Sequence, residues 1–270
     1  MKDVMLGRYV VGDSLIHRLD PRTKLISCTL IITAVLINYR WYFLLLYTLL
    51  ITIGILLSGI KPKMIFQSLR KIRYLLLLTF IFQAILTTGE PLMHIGRLSI
   101  TREGIALGMG TIDRLLIFYL CSTLLIMTTS TIKLAAGIES LLSPLNYLKI
   151  PVHHFSMIIS TSLRFIPTFI EEAGIITNAQ KSRGAQFSSP NIITRLKSNF
   201  AIMIPLLAAS LQRAEDLAMA MESRCYTGHA NQTRISKLNY FRKDKFLISL
   251  MLLLLFVDII FTLWIKRYIH

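Results

Sequence analysis

The stretch WYFLLLYTLLITIGILLSGI at residues 41–60 constrains the fold of this chain more than any other feature. It contains no charged side chain and is about as long as a helix must be to cross the 30 Å hydrocarbon core of a bilayer. Backbone amides find no water in that core, so a spanning segment has to satisfy them internally. The sequence therefore predicts an integral membrane protein whose spans are helices.

Further apolar segments show that the chain crosses the membrane several times. Trp41 and Tyr42 stand at the start of the first stretch, where an aromatic belt is expected. The shorter segments are flanked by lysine or arginine, whose long side chains reach the membrane interface. The prediction is an all-α, polytopic membrane protein with about five transmembrane helices, the other four at residues 25–38, 74–86, 104–130 and 246–265.

The basic charge of the chain indicates topology rather than nucleic-acid binding. The formal net charge is +16, but 54% of the residues are hydrophobic, and no aromatic-basic platform accompanies the charge. Basic loops stay in the cytoplasm and meet anionic lipids there. This pattern predicts a multi-pass protein of the cell membrane with a cytoplasmic N-terminus and no removable signal peptide. It also predicts a cytoplasmic connection at residues 61–73 and an external loop or small hairpin at residues 89–104.

The region between the fourth and last spans has an amphipathic pattern, because apolar residues recur every three or four positions. Residues 131–149 predict a short helix that stops near Pro144. Residues 152–187 and 191–227 predict two long helices with one internal proline each. Their charges favour a place along the cytoplasmic membrane surface. The predicted organisation has an N-terminal part, a cytoplasmic coupling region and a last span, at residues 1–130, 131–244 and 245–270.

Both long helices are predicted to end in serine, arginine and a small residue. The first end reads QKSRG and the second MESRC, which places Arg183 and Arg224 in equivalent positions. An arginine suits the negative end of a helix, and Gly184 permits a left-handed cap, so a purely structural explanation exists. The alternative is docking, since a guanidinium beside small residues can enter a partner's groove and bond its carboxylates or carbonyls.

These features resemble a known family, the transmembrane coupling subunit or T component of energy-coupling factor vitamin transporters. The similarity covers the N-terminal GRYVVGDSLIHRLDPRTK at residues 7–24, the hydrophobic layout and both arginine motifs. It implies a non-catalytic subunit of an ATP-driven importer that contacts two cytoplasmic ABC ATPase subunits and a substrate-binding membrane S component. It also implies that the substrate is selected by another subunit.

The resemblance assigns ATPase docking to both arginine motifs. Serine stands where the family has alanine, and Cys225 stands where it has glycine, so we expect the two ends to differ in geometry. Val11 and Leu15 replace two expected prolines. The docking residues implied by the resemblance are Ser182, Arg183, Gly184, Ser223, Arg224 and Cys225.

Four methionines on the long helices are candidates for contact with the S component. Methionine is flexible and polarisable and suits adaptable surfaces. Packing inside the subunit or against lipid remains an equally good interpretation. The four are Met157, Met203, Met219 and Met221.

Charged residues inside the predicted spans favour packing roles. Asp113 and Arg114 lie in the fourth span, where each is expected to pair with the other or with a neighbouring helix. Asp258 in the last span has no evident partner in the sequence. Small residues let helices approach closely, and the glycines at 104, 108 and 110 fit that role.

No pattern predicts a catalytic site, a metal site or a cofactor. His153 and His154 are adjacent and therefore do not face one another on a helix, and the chain lacks a Walker lysine motif. The three cysteines have no metal spacing and imply no disulfide framework. The rival interpretation is a polytopic membrane enzyme such as a lipid-modifying transferase. Such an enzyme needs clustered interfacial carboxylates, whereas the acidic pairs at 171–172 and 215–216 are dispersed.

Overall fold

The computed structural model describes residues 9–10, 12–37, 40–95, 98–144, 152–226 and 240–269. Predictions that fall on residues 145–151 and 227–239, and on Val11, lie outside these ranges. The described residues form eight helices and one two-stranded hairpin. The helices are α1 Pro21–Ile37, α2 Trp41–Ser58, α3 Pro62–Leu86, α4 Arg102–Thr128, α5 Thr131–Leu142, α6 Val152–Ser182, α7 Ile192–Ser223 and α8 Arg242–Ile269, and the strands are β1 Pro91–Ile95 and β2 Leu98–Thr101.

The chain is a helical, multi-pass membrane protein, as predicted. By length and composition, α2, α4, α7 and α8 can cross a membrane. The predicted span at 74–86 is the second half of α3, which begins twelve residues earlier, at Pro62. α7 meets these criteria of length and composition because its run from residue 198 to 212 is uncharged. The charges that follow this run are the reason why the sequence favours a place along the membrane surface instead.

Two compact units divide the chain. One comprises residues 142–237 and contains α6 and α7. The other is discontinuous in sequence, since it combines residues 7–141 with 238–270. We refer to them as the helical-pair unit and the membrane unit, and the predicted three-part division of the chain stays a prediction.

The core of the membrane unit lies between α1, α2 and α4. Apolar side chains at helical spacing fill it, and the thiols of Cys28 and Cys121 lie 3.0 Å apart within it as free cysteines. Tyr42 and Phe43 at the start of α2 pack against Phe261 near the end of α8, with ring centroids 5.9 and 5.5 Å apart. Aromatic rings thus gather where α2 begins and α8 ends, as an interfacial belt requires.

Polar groups within the spans bond across helices. Asp113 of α4 accepts a hydrogen bond of 3.2 Å from Thr48 of α2, which supports the packing interpretation. Asp258, for which the sequence offered no partner, is buried and accepts a 3.5 Å bond from Tyr47. These bonds fix the rotation of α4 and α8 against α2.

Glycine allows α3 and α4 to approach closely, as predicted for two of the three glycines. A methyl group on Gly104 would lie 2.8 Å from the carbonyl oxygen of Gln83, and one on Gly108 would lie 3.0 Å from the ring of Phe80. Gly110 differs, since the nearest atoms to such a methyl belong to Arg114 on the same helix.

One carboxylate joins the starts of the first and last helices. Asp244 is fully buried and accepts bonds from the backbone amides of Asp20, at 3.0 Å, and Phe241, at 2.9 Å. It therefore caps α1 and α8 together. Pro21 opens α1, a position that suits proline because the first helical amide has no partner within the helix. Lys24, one turn further, donates to the last carbonyl of α4, that of Thr128, at 2.9 Å.

The connection between α3 and α4 contains the small hairpin anticipated from its alternating pattern. β1 and β2 pair antiparallel, with Ile95 opposite Leu98. Thr101 ends the hairpin and caps α4, because its hydroxyl accepts the amide of Gly104 at 3.1 Å.

Candidate docking ends of the long helices

The two predicted long helices are present, and each contains its proline. α6 carries Pro167 and α7 carries Pro205 inside an unbroken helix. Both end earlier than the pattern suggested, at Ser182 rather than residue 187 and at Ser223 rather than residue 227. The last helical residue is therefore the serine that precedes each arginine.

The end of α6 is a Schellman cap. Gly184 has a φ of 86°, and its amide bonds the carbonyl of Lys181 at 3.0 Å. The amide of Ala185 reaches back to the carbonyl of Gln180 at 3.0 Å. This pair of bonds satisfies carbonyls that the helix end would otherwise leave unpaired, and it places Arg183 at the C-cap.

The end of α7 repeats the same cap without glycine. Cys225 adopts a left-handed φ of 54°, and its amide bonds the carbonyl of Glu222 at 2.9 Å. The amide of Tyr226 bonds the carbonyl of Met221 at 3.0 Å. Arg224 is therefore the C-cap, as Arg183 is on α6, and the difference in backbone geometry that Cys225 led us to expect is absent.

The serines before the arginines use their hydroxyls within their own helices. Ser182 donates to the carbonyl of Asn178 at 3.2 Å, and Ser223 donates to that of Ala220 at 3.1 Å. A hydroxyl folded back in this way occupies little more space than a methyl group. Serine can therefore replace alanine here without changing how closely another surface approaches.

α6 and α7 form an antiparallel pair. Met157 at the start of α6 accepts a 2.9 Å bond from the hydroxyl of Tyr226 just beyond α7. At the other end, Gln186 after α6 accepts a 3.3 Å bond from Ser198 in the first turns of α7. Since the helices run in opposite directions, their C-terminal ends lie at opposite ends of the pair.

The separation of the two arginines follows from this pairing. The contacts place Arg224 beside the part of α6 near residue 160, whereas Arg183 follows the last turn of α6. At 1.5 Å per residue, the helix between these points is about 35 Å long. Side chains 182–184 and 223–225 are all exposed.

A cationic clasp in the middle of the pair was missed at the sequence level. Arg213 of α7 approaches Glu172 of α6 to 3.2 Å. Its guanidinium also lies over the rings of Phe169, at 5.3 Å, and Phe165, at 5.9 Å. The signal was present, because residues 165, 169 and 172 share one face of a helix at i, i+4 and i+7. Both side chains are partly buried, and the aromatic rings on one side strengthen the ion pair beyond what an exposed pair contributes.

The family to which the chain belongs follows from sequence comparison. Residues 12–235 match the model of the CbiQ family, described as cobalt transport protein. A protein of Acidaminococcus fermentans, named energy-coupling factor transporter transmembrane protein EcfT, is 40% identical over 264 residues, covering 98% of each chain. A protein of Lactococcus lactis with the same name is 37% identical over 267 residues, covering 98% of this chain and 99% of its own. The chain belongs to the CbiQ family.

The candidate methionines of this CbiQ family member differ in exposure. Met203 and Met219 are 55% and 61% exposed on α7. Met157 and Met221 are half-buried near Tyr226, where Met157 accepts the tyrosine hydroxyl. Met203 and Met219 are therefore the two methionines most accessible to a partner. Met157 instead contributes to the contact between the two helices.

Replacing Cys225 with glycine is expected to stabilise the second cap. A side chain in the left-handed region costs about 1 kcal/mol, which glycine avoids. Hydrogen exchange of the Cys225 and Tyr226 amides, measured by mass spectrometry on overlapping peptides, is expected to slow by about fivefold. The matched change Gly184→Cys in the first cap is expected to speed exchange at residues 184 and 185. If neither substitution changes the exchange rate of the amides in its cap, the backbone conformation assigned to these ends is incorrect.

Proposed function

We propose that this chain is the transmembrane coupling subunit of an energy-coupling factor importer and that Arg183 and Arg224 dock two cytoplasmic ATPase subunits. The observation that carries the proposal is the matched pair of ends. Each presents an exposed arginine at the C-cap of the same backbone motif, at opposite ends of an antiparallel helix pair. The names of the relatives in Acidaminococcus and Lactococcus support the same assignment.

The chemistry of each end suits a groove on a protein partner. A C-cap arginine projects past the helix, so its guanidinium can form paired, charge-assisted bonds to a carboxylate. The exposed residues on either side, Ser182 and Gly184 in the first end and Ser223 and Cys225 in the second, are small enough for close approach. Because the two caps have one geometry, we propose that both ATPase subunits offer equivalent grooves.

Coupling follows from the rigidity of the pair. ATP binding would bring the two ATPase subunits together and displace the arginine ends that they hold. Ends about 35 Å apart along a helix can be held by two separate subunits. The clasp of Arg213 with Glu172, Phe165 and Phe169 ties α6 to α7, so displacement of one end is transmitted to both helices.

The apolar surface of the pair is proposed to support the S component. Both helices expose large apolar side chains along most of their length, which is unusual for a surface in water. Met203 and Met219 provide adaptable contacts there, with Met157 and Met221 at the margin near Tyr226. We propose a cytoplasmic N-terminus and a cytoplasmic location for the arginine ends, in line with the basic charge of these regions.

Co-purification from native membranes tests this function. An affinity-tagged copy of the full chain, extracted in mild detergent, is expected to bring down two ATPase subunits with P-loop motifs and a separate membrane protein that binds the substrate. Protein mass spectrometry and stoichiometry by native mass spectrometry provide the readout. Purification of the chain alone, with a turnover of lipid-linked substrates in the purified sample, would instead favour the membrane enzyme.

A further inference from the structure

α3 combines two chemically different halves in one helix. Residues 74–86 carry no charge, and at 1.5 Å per residue they extend about 20 Å, less than the thickness of the hydrocarbon core. The first half is strongly basic, and no acidic residue occurs between residues 21 and 89. The helix continues unbroken through both halves, so if residues 74–86 form the span that the sequence predicts, the basic turns follow directly at its end.

Packing against α4 fixes the rotation of this basic half. Ser68 is 2% exposed, and its carbonyl accepts a 2.8 Å bond from the hydroxyl of Tyr119. The opposite face is exposed and presents three cations and two aromatic rings at helical spacing. We name this surface the basic face of α3; it consists of Lys63, Phe66, Arg70, Arg73 and Tyr74.

Within the part of the chain that the structure describes, the cations of this face have no carboxylate partner. Among the described residues, no acidic side chain forms an ion pair with Lys63, Arg70 or Arg73. Arg73 is nevertheless held in place, because it lies over the ring of Tyr74 at 4.6 Å and donates to the tyrosine hydroxyl at 2.6 Å. Phe66 and Tyr74, 72% and 69% exposed, flank the cations with rings suited to the membrane interface.

We infer that the basic face of α3 binds the headgroup of an anionic phospholipid. Charge complementarity favours this occupant: Arg70, Arg73 and the Tyr74 hydroxyl lie within about one helical turn of each other, and a phosphodiester would supply the missing negative charge. Lys63 lies on the same face about two turns earlier. Each lysine or arginine near a membrane surface is attracted to anionic lipid headgroups. The aromatic rings on the same face pack against the glycerol and upper acyl region.

Lipid analysis of the purified transporter tests this site. The variant Lys63→Gln, Arg70→Gln, Arg73→Gln is compared with Arg242→Gln, Lys243→Gln, Lys245→Gln, which removes the same charge from exposed positions at the start of α8. Both are reconstituted in nanodiscs of phosphatidylcholine with about one quarter phosphatidylglycerol and then re-extracted. Phosphatidylglycerol retained per chain, measured by native mass spectrometry, is expected to fall by at least half in the α3 variant and to stay unchanged in the α8 variant.

Three results would overturn the assignment. One is unchanged retention of phosphatidylglycerol in the α3 variant, and another is an equal loss in both variants, which would indicate general surface charge. The third is loss of a protein subunit instead of lipid, which would make the face a protein interface. If the triple variant accumulates poorly, the single variant Arg70→Gln is measured in its place. Its retained phosphatidylglycerol is expected to fall partially.

Discussion

A chain in which Arg183 and Arg224 are both replaced by glutamate is expected to insert into the membrane but to lose its ATPase subunits and all substrate uptake. Truncating one member of a buried, hydrogen-bonded charge pair at an interface costs about 2–5 kcal/mol, and glutamate adds repulsion from the partner's carboxylates. Retention of the ATPases after affinity purification is therefore expected to fall at least tenfold. The caps themselves depend on backbone bonds, so the helices should remain intact.

The control for this experiment lies on the same helix pair. Arg195 and Lys197 are exposed in the first turns of α7 and lie outside both arginine ends. Changing both to glutamate reverses the same amount of charge and is expected to leave ATPase retention and uptake near those of the wild type. Full co-purification and normal uptake by the Arg183→Glu, Arg224→Glu variant would show that these ends do not dock the ATPases.

Replacing Asp244 with alanine is expected to reduce the stability of the membrane unit severely. Its carboxylate is fully buried and accepts two backbone amides, those of Asp20 and Phe241. Alanine would leave both amides unpaired in a dry site, at about 1–3 kcal/mol for each. We expect a loss of about 2–6 kcal/mol in the free energy of unfolding. In membranes, the chain should accumulate at a small fraction of the wild-type level.

Two neighbouring changes separate the effect of this bond network from the loss of a charge. Asp244→Asn retains one acceptor oxygen and is expected to give an intermediate melting temperature in detergent. Lys243→Ala alters the adjacent exposed residue and is expected to leave the melting temperature within the error of measurement. An alanine variant as stable as the wild type would mean that Asp20 and Phe241 do not depend on this carboxylate.

The sequence predicted the features that depend on local pattern. Apolar runs and three- to four-residue spacing predicted most helices, because these signals act within a few residues. α3 extends further toward its N-terminus than the apolar run at 74–86 that predicted a span, because a helix can carry cations at the interface.

Contacts between distant residues could not be predicted from one sequence. The bond from Tyr47 to Asp258 and the bond from Asp20 to Asp244 join positions more than two hundred residues apart. The same holds for the clasp of Arg213, whose partners share a helical face but give no sign of which helix they meet. The left-handed Cys225 was also unforeseen, because tertiary and capping bonds here outweigh the ordinary preference for glycine.

The junction at Asp244 has a consequence for how force passes through the chain. Residues 142–237 of the helical-pair unit lie between the two sequence segments of the membrane unit, so this part of the chain is covalently attached at both of its ends. After residue 237 the chain continues into α8. Asp244 bonds the start of α8 to the start of α1. On the proposed function, a displacement of the arginine ends would reach the membrane unit through two chain connections, and the second leads into the helix start that Asp244 holds.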